Sequence, residues 1–83
     1  MYKYASLSSW LAECGKETVS LSFSEIESII GFKLPESAYK YPPWWSNDTE
    51  HNHSHAKAWM DVGYMASSGS EIVASHIATF RKK

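Results

Sequence analysis

Glu17-Thr18-Val19-Ser20-Leu21-Ser22-Phe23-Ser24-Glu25-Ile26-Glu27-Ser28-Ile29-Ile30-Gly31 changes its hydrophobic period midway, and that change sets the fold class. From Glu17 to Ser22, polar and apolar residues alternate and the β-branched members favour extended backbone, so this half reads as a short strand. Beyond it, Phe23, Ile26, Ile29 and Ile30 line one face of a helix that Gly31 closes. Ser22 and Glu25 have the spacing of a capping box: the serine oxygen accepts the backbone N–H three residues on, and the carboxylate returns to the serine N–H.

Upstream, Tyr4, Leu7, Leu11 and Cys14 stand at helical spacing with Trp10 beside them, and Gly15 marks the stop. Downstream, Pro35 opens a short helix to Lys40 that Pro42-Pro43 terminates, and Trp44-Trp45-Ser46-Asn47-Asp48 reads as an ordered loop. Ala56, Trp59, Met60 and Gly63 fall at i, i+3, i+4 and i+7, which predicts a helix beginning between Thr49 and Ser54 and closed by Gly63. The remainder reads as two strands, Tyr64 to Ser67 and Ile72 to Phe80, around a Ser68-Gly69-Ser70-Glu71 turn, with Ile72, Ala74, His76, Ala78 and Phe80 on one face.

The expected architecture is therefore α+β, with helices packed on one side of a small three-stranded antiparallel sheet. Apart from the extra short helix, the order α-β-α-α-α-β-β is winged-helix-like. The third main helix would then be the recognition element, and Tyr64–Phe80 the wing. The link from Gly31 to about Thr49 is much longer than the turn of a helix-turn-helix, so another small α+β arrangement stays open beside it.

The chain has 83 residues, 43% of them hydrophobic, 14% aromatic and 20% charged, which suits one globular domain and excludes a disordered tail. No apolar run is long enough for a membrane span or a signal-peptide core. One cysteine, Cys14, makes neither an internal disulfide nor a cysteine-based zinc site, and a reducing cytoplasm is the expected compartment. On the apolar stripe of the first helix, Cys14 reads as a buried, inert thiol rather than a nucleophile. No serine sits in a nucleophile elbow and no glycine loop cradles phosphate, so no catalytic residue and no cofactor is expected. Glu25 and Glu27 diverge on a helix, and capping and solvation account for them better than paired acid–base chemistry.

His51-Asn52-His53-Ser54-His55 is the most conspicuous cluster. On a helix only His51 and His55 share a face, as paired zinc ligands do, and Asp48, Glu50 or Asp61 would complete such a site. Against it stands a solvated helix start with no clear distant ligand except His76, and no metal is expected.

A net charge of −1 is poor for phosphate neutralisation, but the cations are unevenly spread. Lys57, the nearby histidines and Arg81-Lys82-Lys83 would converge if the last strand returned beside the third helix. Five of the nine acids lie in the first half, and a patch-free, mildly acidic surface is the competing reading. On the nucleic-acid reading, Lys57, Arg81, Lys82 and Lys83 contact phosphates, while Asn47, Asn52, His53 and Ser54 make polar contacts. Asn47 would equally serve the backbone around it. The alternative is a protein-interaction module, or a homodimer, using Tyr39, Tyr41 and Trp44. Of Trp44 and Trp45, one is expected inside and the other partly exposed.

Leu21 to Gly31, Leu34-Pro35-Glu36-Ser37-Ala38, Trp44-Trp45-Ser46-Asn47, Ala56-Lys57-Ala58-Trp59, Gly63-Tyr64 and Phe80-Arg81, in that order, resemble a small uncharacterised domain family of bacteria, archaea and phages. The resemblance spans nearly the whole chain. Members occur alone or beside other domains, some nuclease-like, which implies a nucleic-acid-binding role. Relatives are often basic before the tryptophan pair, where this chain has Lys40 alone. A phage-encoded inhibitor of a host protein is the corresponding form of the interaction reading.

Overall fold

The computed structural model describes residues 3–47 and 54–83, with Ser54 described by its backbone alone. The leading helix, α1 (Ala5–Cys14), buries Leu7 and Leu11 and ends at Gly15, whose φ of 62° suits a residue without a Cβ. Cys14 is half-buried against the core rather than enclosed in it. Strand β1 (Thr18–Ser22) alternates as expected, with Val19 and Leu21 inward.

The capping box then starts α2 (Phe23–Ile30): Ser22 Oγ accepts Glu25 N–H at 3.1 Å, and Glu25 Oε1 accepts Ser22 N–H at 2.9 Å. These bonds hold the Glu25 carboxyl below its ordinary value. Helix α3 (Glu36–Lys40) follows Pro35, and Pro42–Trp45 forms a 3-10 turn where the loop was expected. Trp45 goes inside and Trp44 stays half-buried, as the sequence suggested.

The expected third main helix is described only in part, because its start falls outside the described residues. A 3-10 turn, Ser54–Ala56, leads into one turn of α-helix, α4 (Lys57–Met60). Ala56 and Trp59 are buried and Met60 packs against the core, as their spacing required.

The last third needs a correction. Strand β2 (Tyr64–Ala66) is as expected, but the anticipated Gly/Ser turn and the first half of the last strand form a helix, α5 (Gly69–Ser75). Ile72 and His76 are two steps of strand alternation apart, and also one turn of helix apart, so the pattern fitted both periods. Ile72 N–H donates to Ser68 C=O at 3.0 Å, and Ile72 is fully buried. Ala74 and His76, expected beside it on a strand face, are exposed. The final strand, β3 (Ile77–Lys82), is correspondingly shorter and buries Ala78 and Phe80.

The sheet has three antiparallel strands in the order β1-β3-β2, with Ser20 opposite Thr79 and Met65 opposite Arg81. Val19, Leu21, Tyr64, Ala66, Ala78 and Phe80 face the helices, while Ser20, Met65, Ile77 and Arg81 are left on the uncovered face. The fold is α+β with a winged-helix-like order, and a helix replaces the tip of the wing.

An aromatic column runs from exposed His76 into the core. His76 stacks on Phe23 at 4.9 Å between ring centroids, Phe23 on Trp45 at 5.4 Å, and Trp45 on Trp59 at 5.9 Å. Both buried indoles are satisfied: Trp45 Nε1–H donates to Ala38 C=O at 2.9 Å and Trp59 Nε1–H to Asn47 Oδ1 at 2.8 Å.

Candidate nucleic-acid interface

The C-terminal end of β3 gathers cations by backbone bonding. Lys82 N–H donates to Glu17 C=O at 2.8 Å, and Lys83 N–H to Gly63 C=O at 3.0 Å. Tyr64 hydroxyl donates to Lys16 C=O, which ties the turn after α1 to the start of β2. Lys82 Nζ reaches back to Gly15 C=O at 3.0 Å and lies 6.0 Å from the Tyr64 ring centroid. Burial raises the Tyr64 hydroxyl above its ordinary value.

Lys16, Arg81, Lys82 and Lys83 thus share one end of the sheet. Among the described residues the one ion pair is Lys40–Glu36, at 2.8 Å on the surface, so none of these four cations is held by a carboxylate. Arg81 lies on the uncovered face and lines an open depression of about 350 Å³ with Met65, Thr79 and Glu71. Lys57 is exposed on α4, one helical turn and a tight turn before the Gly63 carbonyl that anchors Lys83. Lys16 was missed in the sequence. Its signal was local: a glycine stop, then a lysine two residues before the first strand.

Asn47 does structural work. Its Oδ1 accepts Ala66 N–H and Trp59 Nε1–H, both at 2.8 Å, and its Nδ2 donates to Ala66 C=O at 3.0 Å. The amide edge that would read a base is thereby taken up by β2. Asn52 and His53 lie outside the described residues, as does the Ser54 side chain.

His51, and with it the three-histidine arrangement, also lies outside them. Among the described residues no group of three His, Cys, Asp or Glu is placed to hold a metal ion. His55 stacks on Trp44 at 3.9 Å between centroids, nearly parallel at 6°, and its Nε2 is 2.5 Å from Trp44 C=O.

The aromatic set divides. Tyr39 is half-buried, edge-on to Phe23 and His76, and its hydroxyl donates to Glu27 Oε2 at 2.7 Å. Trp44 is half-buried, edge-on to Tyr4 and stacked on His55. Tyr41, 57% exposed, is the one that faces solvent. Glu27, expected to be simply solvated, also accepts Leu34 N–H at 2.8 Å, closing the loop between α2 and α3. The Tyr39 hydroxyl lowers its carboxyl below the ordinary value; partial burial opposes this, and the Leu34 N–H and Lys33 add to it.

A compact helical layer on a three-stranded sheet, with cations that no carboxylate pairs at one end and one bare sheet face, defines a small α+β domain of winged-helix-like order. The chain belongs to the family described as Domain of unknown function (DUF7662), whose model matches residues 4–82. No curated protein and no solved structure matches it. Among the described residues no helix is long and apolar enough to cross a membrane.

Proposed function

We propose that this protein is a non-enzymatic nucleic-acid-binding domain that holds phosphates with Lys16, Arg81, Lys82 and Lys83, and with Lys57 at the margin. The observation that carries this reading is the gathering of four cations at one end of the sheet without a carboxylate partner among the described residues. A cation paired with a carboxylate must give up that partner before it meets phosphate; Lys16, Arg81 and Lys83 need not, and Lys82 gives up only its bond to the Gly15 carbonyl. The short α4 and the engaged Asn47 favour backbone contact over base reading, so affinity should depend little on sequence.

Titration of labelled single- and double-stranded oligonucleotides by fluorescence anisotropy tests it. Neutralising about four phosphates gives a slope of roughly −3.6 in log affinity against log salt on duplex DNA, or on the order of a hundredfold loss from ~50 to ~200 mM. Arg81→Ala with Lys82→Ala and Lys83→Ala should cut that slope by more than half. No binding at micromolar protein and low salt, or a slope indifferent to those changes, refutes the reading.

A protein-interaction module, such as an inhibitor of a host protein, is the second reading. The exposure of Tyr41 favours it, since tyrosine is enriched at interface hot spots. It predicts that Tyr41→Ala abolishes capture of a partner while Arg81→Ala does not.

A further inference from the structure

The two edges of the sheet are finished differently. Lys82 N–H bonds Glu17 C=O and Phe23 N–H bonds His76 C=O, in register with Val19 opposite Phe80 and Leu21 opposite Ala78. Antiparallel ladder bonds fall on alternate residues, so Thr18, Ser20 and Ser22 turn their backbone groups away from β3. On the other side, Lys83 N–H bonds Gly63 C=O and Ser67 N–H bonds Thr79 C=O, which leaves Tyr64 and Ala66 facing outward.

Asn47 occupies both backbone groups of Ala66, as a neighbouring strand would. The β2 edge is thereby capped at Ala66, while Tyr64 has no outward backbone partner among the described residues. Along β1, Glu25 takes the Ser22 N–H, but Thr18 and Ser20 have no outward backbone partner among the described residues. Thr18 to Ser22 contains no charge and no proline, and the register shows no bulge. Those are the devices by which proteins keep sheet edges apart.

We propose that the β1 edge is the docking surface for β1 of a second copy, antiparallel, on a two-fold axis through Val19. Thr18 of each copy then faces Ser20 of the other, and the pair exchanges N–H···O=C bonds. The strand suits itself as occupant, because this register brings uncharged Thr18, Val19 and Ser20 only against one another. A two-fold axis normal to the sheet keeps both helical layers on one side and joins the uncovered faces into a single sheet carrying Arg81 from each copy. The two-fold pairing through β1 closes on itself, and at the other edge Asn47 already holds both backbone groups of Ala66. A five-residue edge spans about 17 Å, well short of a standard interface, so the dimer dissociates in the micromolar-to-millimolar range. None of this rests on the nucleic-acid reading.

The test uses the whole chain without nucleic acid: sedimentation equilibrium from about 10 μM to about 1 mM, with residue-resolved amide hydrogen exchange at both ends of that range. The mass should rise from monomer to dimer. Thr18 and Ser20 amides should slow with concentration in proportion to the fraction of chains that sedimentation shows dimerised, while Val19 and Leu21 stay protected throughout. Thr18→Lys with Ser20→Lys sets lysines opposite each other and should weaken association at least about tenfold; both side chains are exposed, so the fold should survive. A monomer at the highest concentration overturns the proposal. So does a dimer in which Thr18 and Ser20 still exchange fast, or one that a folded double-lysine variant retains.

Discussion

Replacing Asn47 by alanine removes one small side chain and strands three polar groups: Trp59 Nε1–H and the N–H and C=O of Ala66. Trp59 is 1% exposed and Ala66 8%, so water recovers little of what the amide supplied. A buried donor or acceptor left unmet costs about 1–3 kcal/mol. The Trp59 N–H should bear most of that, and the edge groups of β2 less, for a total of about 3 kcal/mol. A domain of 83 residues is stable by about 4–12 kcal/mol in all, so a quarter or more of the fold's stability hangs on this residue. At about 4–8 °C per kcal/mol the melting temperature should fall by roughly 10–25 °C.

Paired thermal and urea melts followed by tryptophan fluorescence would measure it. Asn47→Asp sharpens the attribution. It keeps the acceptor for Trp59 and Ala66 N–H but sets a carboxylate oxygen against the Ala66 carbonyl, so it should cost about half as much near pH 7 and recover as the carboxyl is protonated in acid. A loss below about 0.5 kcal/mol for the alanine change, a surface-like value, would mean the latch is not holding β2. Asn47 would then return to the residues available for a ligand.

Other consequences can be measured in the same way. Gly69→Ala would put a Cβ 2.1 Å from the Pro42 carbonyl oxygen, so α5 or the Pro42–Trp45 turn must move; a loss above about 2 kcal/mol in chemical denaturation is expected, and an unchanged midpoint would deny that close approach. Ser22→Ala removes the cap of α2 and should cost about 1 kcal/mol by the same assay. The Glu27 carboxyl is lowered in the fold, so its contribution is present above its unfolded value of about 4.5 and lost as pH falls through the lower folded value. Tyr39→Phe keeps the ring contacts but deletes the hydroxyl that lowers Glu27 most; the stability gap between the two proteins should close as pH drops below that range, and a gap independent of pH would refute the linkage.

The local devices were legible because each has its own chemistry. Ser22 with Glu25 announced a capped helix, and Gly15, Gly31 and Gly63 announced chain reversals that the structure realises at φ of 62°, 84° and 85°. The period of two in Thr18–Ser22 read correctly because nothing else fits it. Ile72 to His76 misread because two steps of strand and one turn of helix place the same residues together. Docking of Gly69 on Pro42 and burial of Ile72 decide for the helix, and both need the rest of the fold already in place.

The candidate site divides along the same line. The sequence itself carries the tail Arg81-Lys82-Lys83, but the cluster with Lys16 exists only because β3 pairs with β1 and Gly63. Lys16 and Lys82 are 66 positions apart in the chain, and no local pattern links them. Asn47 is the clearest case. By type it was a residue for turns or base contacts, and its three partners became visible only when Trp59 and the β2 edge arrived beside it. Propensity, capping and periodicity act within one or two turns of chain and are written in the sequence by itself. Which edge is capped, which cations stand together and which helix replaces a turn depend on contacts between distant segments, so the tertiary structure alone decides them.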